Sequence, residues 1–136
     1  MIAEELLLYL QARGHGTRGV NLFLNFQPDS PDDCVTVYDE SAPLIPESHA
    51  LSVDQLGVQV IVRNSSGSTV ARDALKEIHK DLAGYGGEPF VAGGSMVHAL
   101  YVVTPPASIG LDNKGRAEWT AHYRMRVESE GDLYRT

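Results

Sequence analysis

The chain has 136 residues, eighteen Asp and Glu against eleven Lys and Arg, and a formal charge of −7. That length suits one domain, residues 1–136, which can bury about two thirds of the surface its unfolded chain exposes and so needs no metal or disulfide for its core. The charge is uneven, with nine acids and only Arg13 and Arg18 as bases in residues 1–54 and no base between Arg18 and Arg63, which excludes a phosphate-clamping DNA module in this half.

Residues 2–13 read as a helix, because Ile2, Leu6 and Leu10 recur with Ala3 and Leu7 at three and four, and Glu4 and Glu5 sit at the positive end of its dipole. Gly14 stops it. Val20, Leu22, Leu24 and Phe26 then alternate with polar or outward residues, the period of a strand with one face in the core. Residues 27–33, with Pro28 and Pro31 among three Asp, are turn chemistry, and Cys34–Asp39 resumes a strand rich in β-branched residues. Residues 40–54 carry Pro43 and Pro46 with no clear period, so they are expected to form a long loop.

Leu56, Val58, Val60 and Val62 predict a third, inner strand. The turn at Asn64–Ser68 offers several N-caps for a helix that buries Ala71, Ala74, Leu75, Ile78 and Leu82. After the glycine-rich stretch 84–87, residues 95–104 are apolar on both faces apart from His98, which predicts a central strand closed by Pro105–Pro106. The turn-rich residues 110–116 join it to the most regular segment, in which Trp119, Ala121, Tyr123, Met125 and Val127 alternate with polar residues. Residues 129–136 read as a frayed tail. The order is helix, three strands, helix, two strands. It predicts an α+β fold of two layers, a mixed or largely antiparallel five-stranded sheet with two helices on it.

The motifs of chemistry do not assemble. Gly14-His15-Gly16-Thr17-Arg18-Gly19 matches the dinucleotide fingerprint letter by letter, but that loop needs a strand before it and a helix after it, the reverse of this context. The five histidines show no metal-ligand spacing, although His98 and His122 could approach each other if the last two strands pair. The acidic turn lacks the spacing of a calcium loop, and a solvated turn is the simpler reading. Gly93-Gly94-Ser95 lacks the second glycine and the strand-to-helix setting of a nucleophile elbow. Cys34, the only cysteine, cannot form an intrachain disulfide and reads as a small buried hydrophobe in a reducing compartment. No cofactor, metal or catalytic residue is expected. No stretch approaches the roughly 18 apolar residues of a membrane span, so a soluble cytoplasmic product is expected.

In order and spacing, Asn25-Phe26-Gln27-Pro28, Cys34-Val35-Thr36-Val37-Tyr38-Asp39, Gln59-Val60-Ile61-Val62-Arg63, the helix ending Leu82-Ala83-Gly84 and Leu111-Asp112-Asn113-Lys114-Gly115-Arg116 resemble the minor capsid or tail terminator proteins of long-tailed bacteriophages. Glu40-Ser41-Ala42-Pro43 departs from the glycines that such relatives carry there. The resemblance implies an α+β structural subunit of the virion. It implies a homo-hexameric ring that caps the tail tube, stops its polymerisation and meets a head-side connector or stopper, while DNA passes through without specific binding. Another head-tail connector protein, a small ligand-binding or enzymatic domain, and an adaptor pairing through a strand edge are the alternatives.

A ring subunit needs two different complementary surfaces. The residues expected to supply them are Leu44, Ile45 and Leu51 of the long loop, Asp112 at the tip of the stretch 105–115, and Arg124 and Arg126 on the wet face of the last strand. The loops either meet a partner or fold back over their own core. The base-free segment suggests that Asp29, Asp32, Asp33, Asp39 and Glu40 face the lumen, where carboxylates would repel DNA phosphates; ordinary solubility charge is the competing account.

Overall fold

The structure, a computed structural model, describes residues 2–40 and 53–128. The helices are α1, Ile2–Ala12, and α2, Ser68–Leu82; the strands are β1, Leu22–Leu24, β2, Cys34–Asp39, β3, Val53–Asn64, β4, Glu88–Pro89, β5, Met96–Leu111, and β6, Ala117–Glu128. The fold is α+β in two layers, as the periodicities predict, with six strands among the described residues rather than five. Their order is β1-β2-β3-β6-β5-β4. β1 runs parallel to β2 and every other pairing is antiparallel.

Both helices lie on one face of the sheet, α1 over β1 and β2, α2 over β3, β6 and β5. The core is the meeting of three periods: Leu6, Leu7 and Leu10 of α1, Leu75, Ile78 and Leu82 of α2, and alternate residues Val58, Val60, Ala121, Tyr123 and Met125 of the central strands, all buried. Each large side chain so buried contributes about 1.5–3 kcal/mol relative to exposure. The buried Tyr123 hydroxyl finds a partner in His79 Nδ1, 2.7 Å away on α2. Desolvation holds the tyrosine well above its ordinary pKa and His79 below its own.

The connection after α1 is a folded staple, and the fingerprint-like glycines serve it. Gly14 adopts φ 86°, and His15 Nε2 and Arg13 Nη2 converge on Asp81 of α2 at 2.5 and 2.9 Å. Burial raises the Asp81 pKa, but the hydrogen bonds from Arg13 and His15 outweigh it and leave the carboxyl below its usual range. A second non-chemical use falls to Glu5, whose Oε1 accepts the Ser95 amide at 2.8 Å in the Gly93-Gly94-Ser95 turn. Tyr9, Tyr85 and Phe90 cluster beside it, with Tyr85 and Phe90 stacked at 4.6 Å. Burial and the nearby Glu88 push the Tyr85 hydroxyl up to about 12, and it donates to the Pro89 carbonyl at 2.7 Å. The cluster orders the glycine-rich stretch so that Glu88–Pro89 adds the sixth strand, which the sequence pattern missed.

Four expectations are corrected. First, β1 has three residues, because the Thr17 carbonyl collects the amides of Val20, Asn21 and Leu22, and Asn25 turns to φ 59°; Val20 and Phe26 are therefore exposed instead of core. Second, the N-cap of α2 is Gly67 without a side-chain cap bond, and Ser68 Oγ accepts from Trp119 Nε1 at 2.9 Å instead. Third, β5 is not central. It lies next to the sheet edge and runs through Pro105–Pro106, which an edge strand tolerates because its outer amides need no ladder partner. Fourth, the last two strands do pair, yet His98 and His122 do not meet: His122 lies across from Thr104, 3.0 Å from Glu40, and His98 is 3.8 Å from Glu128.

Candidate assembly surface

Because β1 and β2 are parallel, residues 25–33 must travel back along the strands, and they do so over the face opposite the helices, burying Cys34, Thr36 and Arg63 of that face. Burial pushes the Cys34 thiol up, which leaves it a neutral small hydrophobe. Two buried arginines fasten the returning segment. Arg63, 3% exposed, gives its guanidinium to three backbone carbonyls, Pro28 and Pro31 at 2.6 Å and Asp32 at 3.1 Å. Arg116 donates to the Asp29 carbonyl at 2.6 Å, to the Asp32 carboxylate at 3.1 Å and to Asp112 Oδ2 at 2.8 Å.

The adjoining hairpin tip is built for the same clasp. Asp112 Oδ1 accepts the amides of Lys114 and Arg116, each at 2.9 Å, an Asx turn that holds Arg116 in place. Lys114 Nζ pairs with Asp29. That bond is the leading cause of the lowered Asp29 pKa, and at Asp112 the hydrogen bonds from residues 114 and 116 outweigh desolvation with the same result. Asp33 Oδ1 accepts from the Ser65 amide and hydroxyl at 2.8 and 2.9 Å, and Gln27 Nε2 donates to Glu118 at 2.7 Å. Three turns distant in sequence thus form one preorganised end of the sheet.

The predicted site residues fall in different places. Asp29, Asp32, Asp33 and Asp112 belong to this clasp. The acidic turn is counter-charged by Arg63, Arg116 and Lys114, so a stretch free of bases in sequence is not free of them in space. Asp39 follows on β2, its amide bonded to Asn25 Oδ1 at 2.7 Å, and Glu40 pairs with His122. Arg124 is exposed and lies across from Tyr101; Arg126 lies across from Ala99. Glu40, Gly57, Val103, His122, Tyr123 and Arg124 surround a shallow cavity of about 330 Å³. Leu44, Ile45 and Leu51 lie outside the described residues.

Sequence reasoning missed the edges. Among the described residues, five of the eight exposed large hydrophobics lie on β5: Tyr101, Val102, Val103, Ile109 and Leu111, between 40% and 69% exposed. Two more, Val20 at 62% and Phe26 at 67%, bracket β1. β4 covers only Met96 and Val97 of β5, and the Tyr85 carbonyl takes the Leu100 amide; beyond that point no described strand pairs with the outer edge of β5. The signal was present in the sequence, since Met96–Leu111 carries no Asp, Glu, Lys or Arg. In sequence alone it reads as burial on both faces.

The polar clusters fasten loops, and the apolar edges are presented at the surface; among the described residues no group of three or more His, Cys, Asp or Glu could hold a metal ion. The bacteriophage tail terminator protein family matches the chain over residues 9–129, and the chain belongs to that family. Comparison with curated proteins returns no match. Membership makes it a component of the phage tail and, by family, a structural protein. No helix is long and apolar enough to cross a membrane among the described residues.

Proposed function

We propose that the protein assembles into a hexameric ring at the head-proximal end of the tail tube of a long-tailed phage, halts tube polymerisation there and presents its other side to the head connector. The observation that carries this reading is the family match over nearly the whole chain. A rigid two-layer subunit with clasped loops and an uncharged, apolar strand edge is suited to it, because contiguous exposed apolar surface on a small protein marks a contact with another macromolecule.

Within the ring, the long loop with Leu44, Ile45 and Leu51 and the tip at Asp112 contact neighbours or the tube, and Arg124 and Arg126 face the acidic half of an adjoining subunit. The lumen reading keeps Asp29, Asp32, Asp33, Asp39 and Glu40 toward the channel, with Asp29 and Asp32 weakened as repellents by their cationic partners. The protein performs no chemistry and takes no cofactor in this role. Cryo-electron microscopy of the particle neck tests it. The expected result is one ring of this subunit between tube and connector; a neck without it overturns the assignment, and the five acids on the outer rim of the ring overturn the lumen element.

A further inference from the structure

We infer that successive subunits join head to tail through the two opposite edges of the sheet, the β1 edge with Val20 and Phe26 of one copy seating on the β5 edge with Tyr101, Val103, Ile109 and Leu111 of the next. The inference rests on the ring reading above and names its interface.

Seven of the eight exposed large hydrophobics among the described residues sit on β5 or bracket β1, and these strands lie at opposite sides of the sheet, β1 at the margin and β5 exposed beyond the two-residue β4. The eighth, Val70, stands at the start of α2. Two unlike patches on opposite sides of one molecule are the requirement for a heterologous contact, which repeats from copy to copy and closes when the rotation fits. A two-fold contact of β5 with β5 would leave Val20 and Phe26 in water.

Electrostatics agree. Residues 19–28 and 96–111 contain no Asp, Glu, Lys or Arg, although charged residues make up 21% of the chain. Neither edge would bury an unpaired charge on contact, which is the largest penalty an interface can incur. Monomeric proteins guard an open edge with charges, above all lysine, and β5 carries none. It is blunted in another way, by Pro105–Pro106 and by register shifts against β6 between Val102 and Thr104, Thr104 and Ala107, and Ser108 and Gly110. A continuous intermolecular ladder is thereby broken, so the contact is made by side chains. Exposed Arg124, across from Tyr101, lies on the β5 side.

Residues 101–111 extend roughly 30 Å at about 3.3 Å per residue, and with the helix layer about 10 Å to one side they offer roughly 300 Å². A standard stable interface of ~800 Å² per partner therefore takes in surface beyond this strand, exposed Arg124 of β6 included.

The test is bis-maleimide cross-linking of full-length Phe26→Cys, Val103→Cys and the double variant, in purified protein and in particles assembled with them; native Cys34 is buried and stays unlabelled. Both positions are exposed, and an unchanged thermal melt verifies folding. The double variant is expected to give a ladder of covalent species beyond the dimer, and each single variant to give monomer. Dimer formation by Val103→Cys alone, or a double variant that stays monomeric in particles, overturns the inference. A second arm mixes Phe26→Asp with Val103→Asp. Each retains one good edge, so the mixture should form a one-to-one dimer while neither variant associates with itself; no heterodimer at concentrations where wild-type subunits associate overturns the inference as well. The ring reading fails separately, when particles lacking the protein carry tails of normal length.

Discussion

Replacing Arg63 with Met removes the guanidinium that holds the returning turn while keeping an unbranched stem of similar length in the same packing. Three hydrogen bonds from a charged donor are lost, to the carbonyls of Pro28, Pro31 and Asp32. Bonds to charged groups contribute about 1.5–3 kcal/mol each when fully buried. Here the residues around those carbonyls, Asp29, Ser30 and Asp32, are exposed, so water recovers part of the loss and about 1 kcal/mol per bond, roughly 3 kcal/mol in total, is expected. Arg63→Lys keeps the charge but cannot fork to three acceptors, and should lose about half as much. Urea unfolding with an unchanged slope reads the difference, and amide hydrogen exchange should quicken across residues 25–33 before the core opens. A Met variant within about 0.5 kcal/mol of wild type, the range of an ordinary surface substitution, or a Lys variant equal to wild type, would refute the clasp.

Three further outcomes follow from the packing. His79 has its folded pKa lowered by burial, so the unfolded chain takes up the proton first as pH falls: stability is full above about pH 6.5, declines toward the folded pKa, and this slope disappears in His79→Asn, as unfolding titrations will read. Asp81→Asn should lower stability by about 1–2 kcal/mol by removing the carboxylate on which Arg13 and His15 converge, and because the folded Asp81 pKa is depressed, the deficit should vanish as pH falls through that pKa. Gly86→Ala would bring a Cβ to 2.7 Å from the His98 carbonyl oxygen and 3.2 Å from Ala99 Cα; backbone cannot step aside as a flexible side chain can, and a loss of about 1–3 kcal/mol by thermal melting is expected.

The core was readable because burial imposes a period. Leu6, Leu10, Ile78, Leu82, Val58, Val60, Ala121 and Tyr123 were each placed by spacing alone, and each is buried. The edges were not readable by that rule. An apolar strand of sixteen residues looks the same whether its own helices or a neighbour's surface will cover it, so Tyr101, Val102 and Val103 passed for core. Val20 and Phe26 kept the alternation of β1 after the backbone had left the strand, because Thr17 and Asn25 bend the chain through hydrogen bonds that the apolar period does not register. The acidic turn misled by distance in sequence: Arg63 and Arg116, which hold it, lie more than thirty and eighty residues from it. Asp112 reads in sequence as a contact residue; in the structure it belongs to the same clasp.

The central claim is that this subunit sets where the tail tube ends. The most direct measurement is the distribution of tail lengths, by electron microscopy, in lysates of phage that lack the protein. The account predicts long tubes of irregular length without heads, and restoration of a single length on supplying the protein in trans; uniform tails of normal length in its absence would contradict it.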